Sequence, residues 1–349
     1  MVGYKNRYFL FFLLYIYHIN YVDAQDIQFS QYYNLVHYQN PAFVGTSYAW
    51  RGVVHSRLQW PGSESRYLTS VVSLDYNYAK INSGLGAMFI YDDQGDGAIK
   101  ATRGILQYAY RASLSPSLDL RGGVNLGYVG RRLDNDLYYP TQFNGSGFSQ
   151  NLPSTTDQPT YFRSYIDIAA GVLLYSKSFW LGISSNHINE PNQSFMQGTD
   201  RIPRRFDFLT GYKIVLKSKP AMRYLEPEDE EIVALYPTVL YKFQGKSDQL
   251  DVGIYGIYDY LKLGVWYRGI LIKNYNNTIP NHESIIFLAG FKIDNISFGY
   301  SYDFLISKLA PIAKGAHEFN LTILYPKRKN FKHKYKYKRL PCPDFFDSK

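Results

Sequence analysis

Between Ile296 and Phe304 every second residue is apolar or aromatic (Ile296, Phe298, Tyr300, Tyr302, Phe304). Those between are small or polar (Ser297, Gly299, Ser301, Asp303). Side chains on a strand point alternately to its two faces, so this pattern predicts one apolar and one polar face. It recurs along the chain. Leu68, Val72, Leu74 and Tyr76 alternate with Thr69, Ser73, Asp75 and Asn77, and Leu118, Leu120, Val124, Leu126 and Tyr128 alternate with Asp119, Arg121, Gly123, Asn125 and Gly127. The pattern predicts strands over Tyr48–Trp60, Arg66–Tyr78, Gly84–Asp92, Ile99–Ala112, Ser117–Arg132, Arg163–Tyr175, Phe179–Asn186, Arg205–Leu216, Ile232–Phe243, Asp248–Ile257, Leu261–Arg268, Ser284–Phe291, Asn295–Phe304 and His317–Tyr325. That is about fourteen, an even number of the kind bacterial outer-membrane barrels use. A soluble sandwich also alternates, but its outward face would rarely stay this regular with so many tyrosines.

The connections sharpen the picture. Ala79-Lys80-Ile81-Asn82, Leu114-Ser115-Pro116, Ser176-Lys177-Ser178, Tyr258-Asp259-Tyr260 and Lys292-Ile293-Asp294 read as tight turns. Longer loops fall between them, at 93–98, 133–162, 187–204, 269–283 and 305–316. Short turns at one end and long loops at the other are the outer-membrane arrangement, with the short turns periplasmic. Both termini then fall on the periplasmic side. Lys217–Glu231, with its acidic run 226–231, is long where a short turn is expected, either through a miscounted strand or as a partner-binding loop.

Composition changes the picture in three places. Aromatic residues make up 17% of the chain, enough for two interfacial girdles. Lys5 and Arg7, the apolar run Tyr8–Ile19 and Val22-Asp23-Ala24 read as a signal peptide over 1–24, with Gln25 first in the mature chain. The net charge of +9 sits mostly in a tail, Lys327 to Arg339, read as solvated and not as a nucleic-acid arm. The resulting division is signal peptide 1–24, an N-terminal periplasmic segment 25–47, a barrel 48–326 and a basic periplasmic tail 327–349. Within 25–47, Gln28 to Tyr33 starts a short helix that Asn40-Pro41 stops, packed at the periplasmic mouth. The lone Cys342 excludes an internal disulfide framework.

Motifs of chemistry fail on spacing. Asp92-Asp93-Gln94-Gly95-Asp96-Gly97 opens like a calcium loop, but its twelfth position is Arg103, where a glutamate is required. Gly245-Lys246-Ser247 has Leu240 where a phosphate loop needs glycine, and His282-Glu283 lacks the second histidine of a zinc helix. No enzyme, metal or cofactor is expected. Charged and polar residues instead gather where strands meet the long loops: Arg57, Trp60, Asp92, Asp93, His187, Glu190, Arg268, Asp303, His317 and Glu318. They read either as a lumenal ion-pair network that keeps the barrel shut or as a recognition surface at the extracellular mouth, and the two are compatible.

Gln28-Phe29-Ser30-Gln31-Tyr32 followed by Asn40-Pro41-Ala42-Phe43-Val44-Gly45 resembles the opening of the PorP/SprF family of the type IX secretion and gliding machinery of Bacteroidota. Further fragments follow in the family's order. They are Arg57-Leu58-Gln59-Trp60, Gly84-Leu85-Gly86, Asn186-His187-Ile188-Asn189-Glu190-Pro191, Gly299-Tyr300-Ser301-Tyr302-Asp303, Gly315-Ala316-His317-Glu318 and Cys342-Pro343-Asp344-Phe345. The resemblance implies an exported, all-β, integral outer-membrane barrel without chemistry. Its partners would be outer-membrane lipid and either a secreted adhesin's C-terminal domain or periplasmic ring and peptidoglycan-associated proteins. A solute-conducting porin or transporter is the alternative that alternation and lumenal glycines leave open.

Overall fold

The computed structural model describes residues 26–47, 50–63, 65–133, 143–144, 147–148, 161–196, 198–219, 230–275, 279–293, 295–307 and 310–325. The expected signal peptide, the acidic stretch 226–229 and the basic tail lie outside the described residues.

Fourteen antiparallel strands make the wall: β1 (Trp50–Gln59), β2 (Tyr67–Tyr78), β3 (Ser83–Gln94), β4 (Ile99–Ser115), β5 (Leu118–Leu133), β6 (Phe162–Tyr175), β7 (Phe179–Asn186), β8 (Arg205–Tyr212), β9 (Glu230–Gln244), β10 (Ser247–Tyr258), β11 (Leu261–Tyr275), β12 (Ile279–Ile293), β13 (Ile296–Leu305) and β14 (Ala316–Tyr325). Each pairs with its sequence neighbours, and β1 pairs with β14, Trp50 opposite Tyr325, so the sheet closes with no free edge. Lys213 interrupts β8, which resumes as Ile214–Lys219, still paired with β9. Closure leaves every strand's hydrogen bonds satisfied inside lipid, the condition for a sheet to span a membrane.

The alternation read from the sequence is the wall's two faces. Val54, Val72, Leu74, Leu106, Leu126, Ile166, Val265 and Ile323 point outward and are exposed to lipid. Arg51, Asp75, Arg121, Ser184, Asp207 and Asn320 point inward and are buried. Trp50, Tyr78, Tyr110, Tyr212, Tyr258 and Tyr325 stand exposed at the short-turn end, and Tyr161, Phe162 and Phe304 at the other, as interfacial girdles do.

One expectation is corrected and one open alternative is decided. The stretch 269–283 is mostly not a loop: β11 and β12 run on through it past a bulge after Arg268. The long connection between Lys219 and Glu230 does lie at the short-turn end, because no strand is miscounted.

A barrel this size cannot fill itself. Eight strands enclose just enough room for their own side chains, whereas fourteen at a spacing of ~4.8 Å and a tilt of ~40° enclose a backbone cylinder about 28 Å across. Residues 26–47 fill it. They descend through the lumen from the long-loop end to the short-turn end, then turn into β1. Asp26 meets His187, Arg205 and Gln244 at the long-loop ends of β7, β8 and β9. At the other end Gly45 donates its N–H to Asp75 (2.8 Å). This corrects the placement of the segment at the periplasmic mouth, and with it the placing of the chain's N-terminal part on that side. Strand parity fixes where β1 begins, but it is blind to a segment that doubles back through the lumen.

Candidate functional site

Polar contacts and close packing both hold the lumenal segment. Phe29 to Val44 are buried without exception. Gln28–Tyr33 are not helical, because the N–H groups that a helix would turn inward go to the wall. Ser30 and Gln31 donate their backbone N–H to Glu318 Oε1 and Oε2 at 2.6 and 2.8 Å. The helix is a single turn, Val36–Gln39. Asn40 then caps the 3-10 turn Pro41–Phe43 through its side-chain oxygen, which accepts from Ala42 N at 2.9 Å. The Asn40 amide nitrogen donates across to the carbonyls of Val172 and Ile183.

Glycines on the wall are cut to this segment. A Cβ on Gly84 would lie 2.1 Å from Val44 O, and one on Gly123 would lie 2.4 Å from Ala42 N. Arg121 donates to the carbonyls of Ala42 and Val44. Elsewhere in the lumen, Tyr33 stacks on Trp266 at 5.5 Å. Lys262 Nζ sits 3.8 Å from the Tyr33 ring centroid, a buried cation held against an aromatic face.

Four of the residues singled out from sequence come together. Arg57 on β1 pairs with Glu318 on β14 and, at 2.9 Å, with Asp303 on β13. Arg268 on β11 reaches Asp303 at 3.1 Å and Asp251 at 3.0 Å. At their centre Ser30 Oγ accepts from Arg57 Nη1 (2.9 Å) and Arg268 Nη2 (3.1 Å) and donates to Asp303 Oδ2 (2.6 Å). His55 Nε2 lies 3.3 Å from Glu318. Buried charges persist only when paired and hydrogen-bonded, and this group ties five strands to the lumenal segment. It is covered, not open at the mouth. Sequence reasoning missed Asp251, His55 and Ser30. The first two lie on inward parity, and Ser30 lies inside a fragment read as a short helix and as part of the family likeness.

The other six scatter. His317 immediately precedes Glu318 and lies on the opposite face of β14, because successive residues point to opposite sides. It meets Tyr300 Oη at 2.9 Å on the outer wall. Asp92 faces inward, accepting from Thr69 Oγ1 at 2.6 Å and from Gln94, while Asp93 is on the outward parity. Trp60 ends β1 with φ of 57° and packs edge-to-face on Tyr67. Glu190 forms an exposed pair with Arg204 at 3.2 Å.

His187 anchors a second group, near the mouth. Its Nε2 meets Asp26 at 2.6 Å and its Nδ1 meets Asp167 at 2.9 Å. Arg205 meets Asp26 at 2.7 Å and Asp207 at 3.1 Å. Burial by itself would lower the His187 imidazole, but the Asp26 charge and the hydrogen bonds to Asp167 and Asp26 raise it to about 9. Burial by itself would raise the Asp26 carboxyl, but the His187 and Arg205 charges hold it well below the usual carboxylate range. His187 is therefore an imidazolium at neutral pH.

Among the described residues no group of three or more His, Cys, Asp or Glu is placed to hold a metal ion. No curated protein matches the chain in sequence. Solved structures of similar outline include the Acinetobacter baumannii outer membrane protein Omp33 (8% identity, 80% of this chain and 100% of that one, TM-score 0.44). The Pseudomonas putida toluene transporter TodX (10%, 82% and 93%, 0.46) and the CymD monoaromatic hydrocarbon channel (10%, 86% and 94%, 0.44) are others. Similarity this low says nothing of what this chain binds. The family model described as type IX secretion system membrane protein PorP/SprF matches residues 22–323. The chain thus belongs to the PorP/SprF family and is an integral outer-membrane component of the type IX secretion system.

Proposed function

We propose that this barrel is a sealed post in the outer membrane that holds an exported surface protein at its long-loop mouth, with its short-turn end turned to the periplasmic part of the machinery. The observation that carries the reading is the occupied lumen. A conduit needs a continuous aqueous path, and here residues 29–44 lie buried across the space such a path would take. The glycines that once suited a pore are spent on close approach of Val44 and Ala42 to the wall. The same observation weighs against a solute-conducting porin. At the periplasmic end, Ile214–Lys219 paired with the start of β9 extends the wall as a ribbon suited to contact with a ring or peptidoglycan-associated partner. The reading assigns no reaction to the chain.

Pull-down of the full chain in mild detergent, followed by mass spectrometry, tests it. A secreted adhesin or ring subunit is the expected companion, and recovery of the barrel alone would count against the reading. In planar bilayers the pure protein should show no large, stable unit conductance; such a conductance would restore the porin alternative.

A further inference from the structure

We propose that Arg103, Arg131 and Arg163, on the inner face of the long-loop end, form a carboxylate-binding site that receives an acidic peptide segment of the surface partner. This inference rests on the reading of the mouth as a partner-binding end and names the chemistry recognised there.

The three arginines sit on adjacent strands, β4, β5 and β6. Arg131 lies directly opposite Arg163 in the ladder. On its other side Arg131 is opposite Ala101, which places Arg103 one inward position below. Like charges directly opposite one another destabilise a sheet, so this juxtaposition has to be compensated. Among the described residues none of the three closes an ion pair with a carboxylate; Asp26 and Asp167 act on Arg103, and Asp200 and Asp92 on Arg131, only through space. Arg131 donates to the Gln193 carbonyl (3.3 Å) and side-chain oxygen (2.7 Å), and its guanidinium lies 5.1 Å over the Phe195 ring. Arg163 donates to the Asn192 carbonyl at 3.3 Å. Arg103 Nε is buried with no hydrogen-bond acceptor.

Asp200 is exposed, and four further acids near this end are committed elsewhere. Asp26 and Asp167 hold His187, Asp207 holds Arg205, and Asp92 is taken by Thr69 and Gln94. The same end already shows how it treats a carboxylate: Asp26 is gripped by an imidazolium and a guanidinium. Above that grip, two guanidinium forks stand side by side, half-buried, with donors to spare. Arginine forks match carboxylate geometry with paired hydrogen bonds, and a partner bearing several carboxylates would neutralise the cross-strand repulsion.

A purely structural role is to tie down the connection 187–204 through the Asn192 and Gln193 carbonyls. The test therefore replaces charge while keeping a donor: Arg131→Gln with Arg163→Gln, beside Arg131→Lys with Arg163→Lys. Binding of a fluorescein-labelled hexaglutamate peptide to the purified full chain in detergent is read by anisotropy, with hexalysine and inorganic phosphate as comparison arms. The gel-mobility difference between unboiled and boiled protein verifies each fold. The expected result is hexaglutamate binding to the wild type, no hexalysine binding, a loss of at least about tenfold in the glutamine pair and partial retention in the lysine pair. Equal binding by the glutamine pair, or no binding by the wild type, overturns the proposal. So does displacement of the peptide by phosphate at equal charge concentration, which would mark a general anion sink. If the glutamine pair still captures the partner in the pull-down, this inference fails and the mouth reading stands; if the wild type captures none, the mouth reading itself fails.

Discussion

Replacing Glu318 by glutamine should unseat the upper part of the lumenal segment while leaving the wall intact. The Glu318 carboxylate accepts three hydrogen bonds, from Ser30 N (2.6 Å), Gln31 N (2.8 Å) and an Arg57 guanidinium N–H, and lies 3.3 Å from His55 Nε2. Glutamine fits the same space but keeps one acceptor oxygen. Its amide nitrogen would face either Ser30 N–H with Arg57 or Gln31 N–H, donor against donor. Removing one partner of a buried ion pair costs about 3–5 kcal/mol. Asp303 still holds Arg57 at 2.9 Å, which puts the cost near the lower bound, about 3 kcal/mol. Since about 1.4 kcal/mol is a factor of ten, the population in which Ser30 and Gln31 are released should rise by roughly two orders of magnitude. Native-state hydrogen exchange reads this directly, because amide protection reports local opening. The Ser30 and Gln31 amides should lose about a hundredfold in protection, while Leu240 and Ile286, deep in the wall, keep theirs. Protection at Ser30 and Gln31 within about threefold of wild type would refute the role given to the carboxylate. A uniform loss across all strands would refute it too, since the wall and not the lumenal segment would then depend on Glu318.

Three other outcomes follow from the same geometry. His187 titrates near 9 in the fold against about 6.5 when free, so its contribution is complete below about 6.5 and is lost as pH rises through about 9. Exchange protection at Ile27, corrected for intrinsic rate, should fall over that window, though Arg205 still holds Asp26. In His187→Gln the pH step should vanish; a step that persists assigns it to another group. Gly123→Val sets side-chain atoms against Pro41 and Ala42, where a Cβ alone would come within 2.4 Å, an overpacking worth about 1–3 kcal/mol. Protease should then reach the Pro41–Phe43 turn in a barrel that still shows heat-dependent gel mobility. Gly104→Ala, with nothing within 4 Å, should match wild type, and equal protease resistance of both variants would sink the fitted-glycine argument. Lys262→Met removes a cation held over Tyr33 and Tyr255 and should cost about 2 kcal/mol, seen as a lower temperature for loss of the unboiled gel band; an unchanged temperature would count against a cation–π contribution.

The wall was legible because its signal is local. Each strand declares itself by alternation and each closing turn by its polar, short connection, so fourteen strands and the end at which each begins can be read in order. β13 illustrates this: Phe298 and Tyr300 meet lipid while Ser297, Ser301 and Asp303 are buried inward. The lumenal segment was not legible, because its partners are distant in sequence. Ser30 meets Glu318 across 288 positions, and no pattern within 25–47 announces that its backbone N–H groups belong to a strand near the chain's far end. The site residues divide on the same ground. Arg57, Arg268, Asp303 and Glu318 share inward parity near the long-loop end and so meet, whereas His317, one position from Glu318, is turned outward by the pleat. Asp26, which grips His187 and Arg205, had no signal of its own beyond a charge just after the expected cleavage site.

The distribution of the lumenal contacts bears on how such a barrel works. Asp75 on β2 holds Gly45, and Arg121 on β5 holds Ala42 and Val44. Asn40 bridges the backbones of β6 and β7, Thr238 on β9 meets Tyr32, and Glu318 on β14 holds Ser30 and Gln31. The segment thus touches the wall around its whole circumference, and it is joined covalently to β1. An inner wall this polar is stable either against water or against groups that match it one for one. Here the matching is one for one, down to glycines placed where a side chain would collide. Sealing is therefore built into the same residues that make the wall polar, and a solute path would require several independent contacts to break together. On the proposed reading, exchange with partners is left to the two ends: the long-loop mouth, where Asp26 and the surrounding arginines lie, and the short-turn rim, where β8 and β9 project.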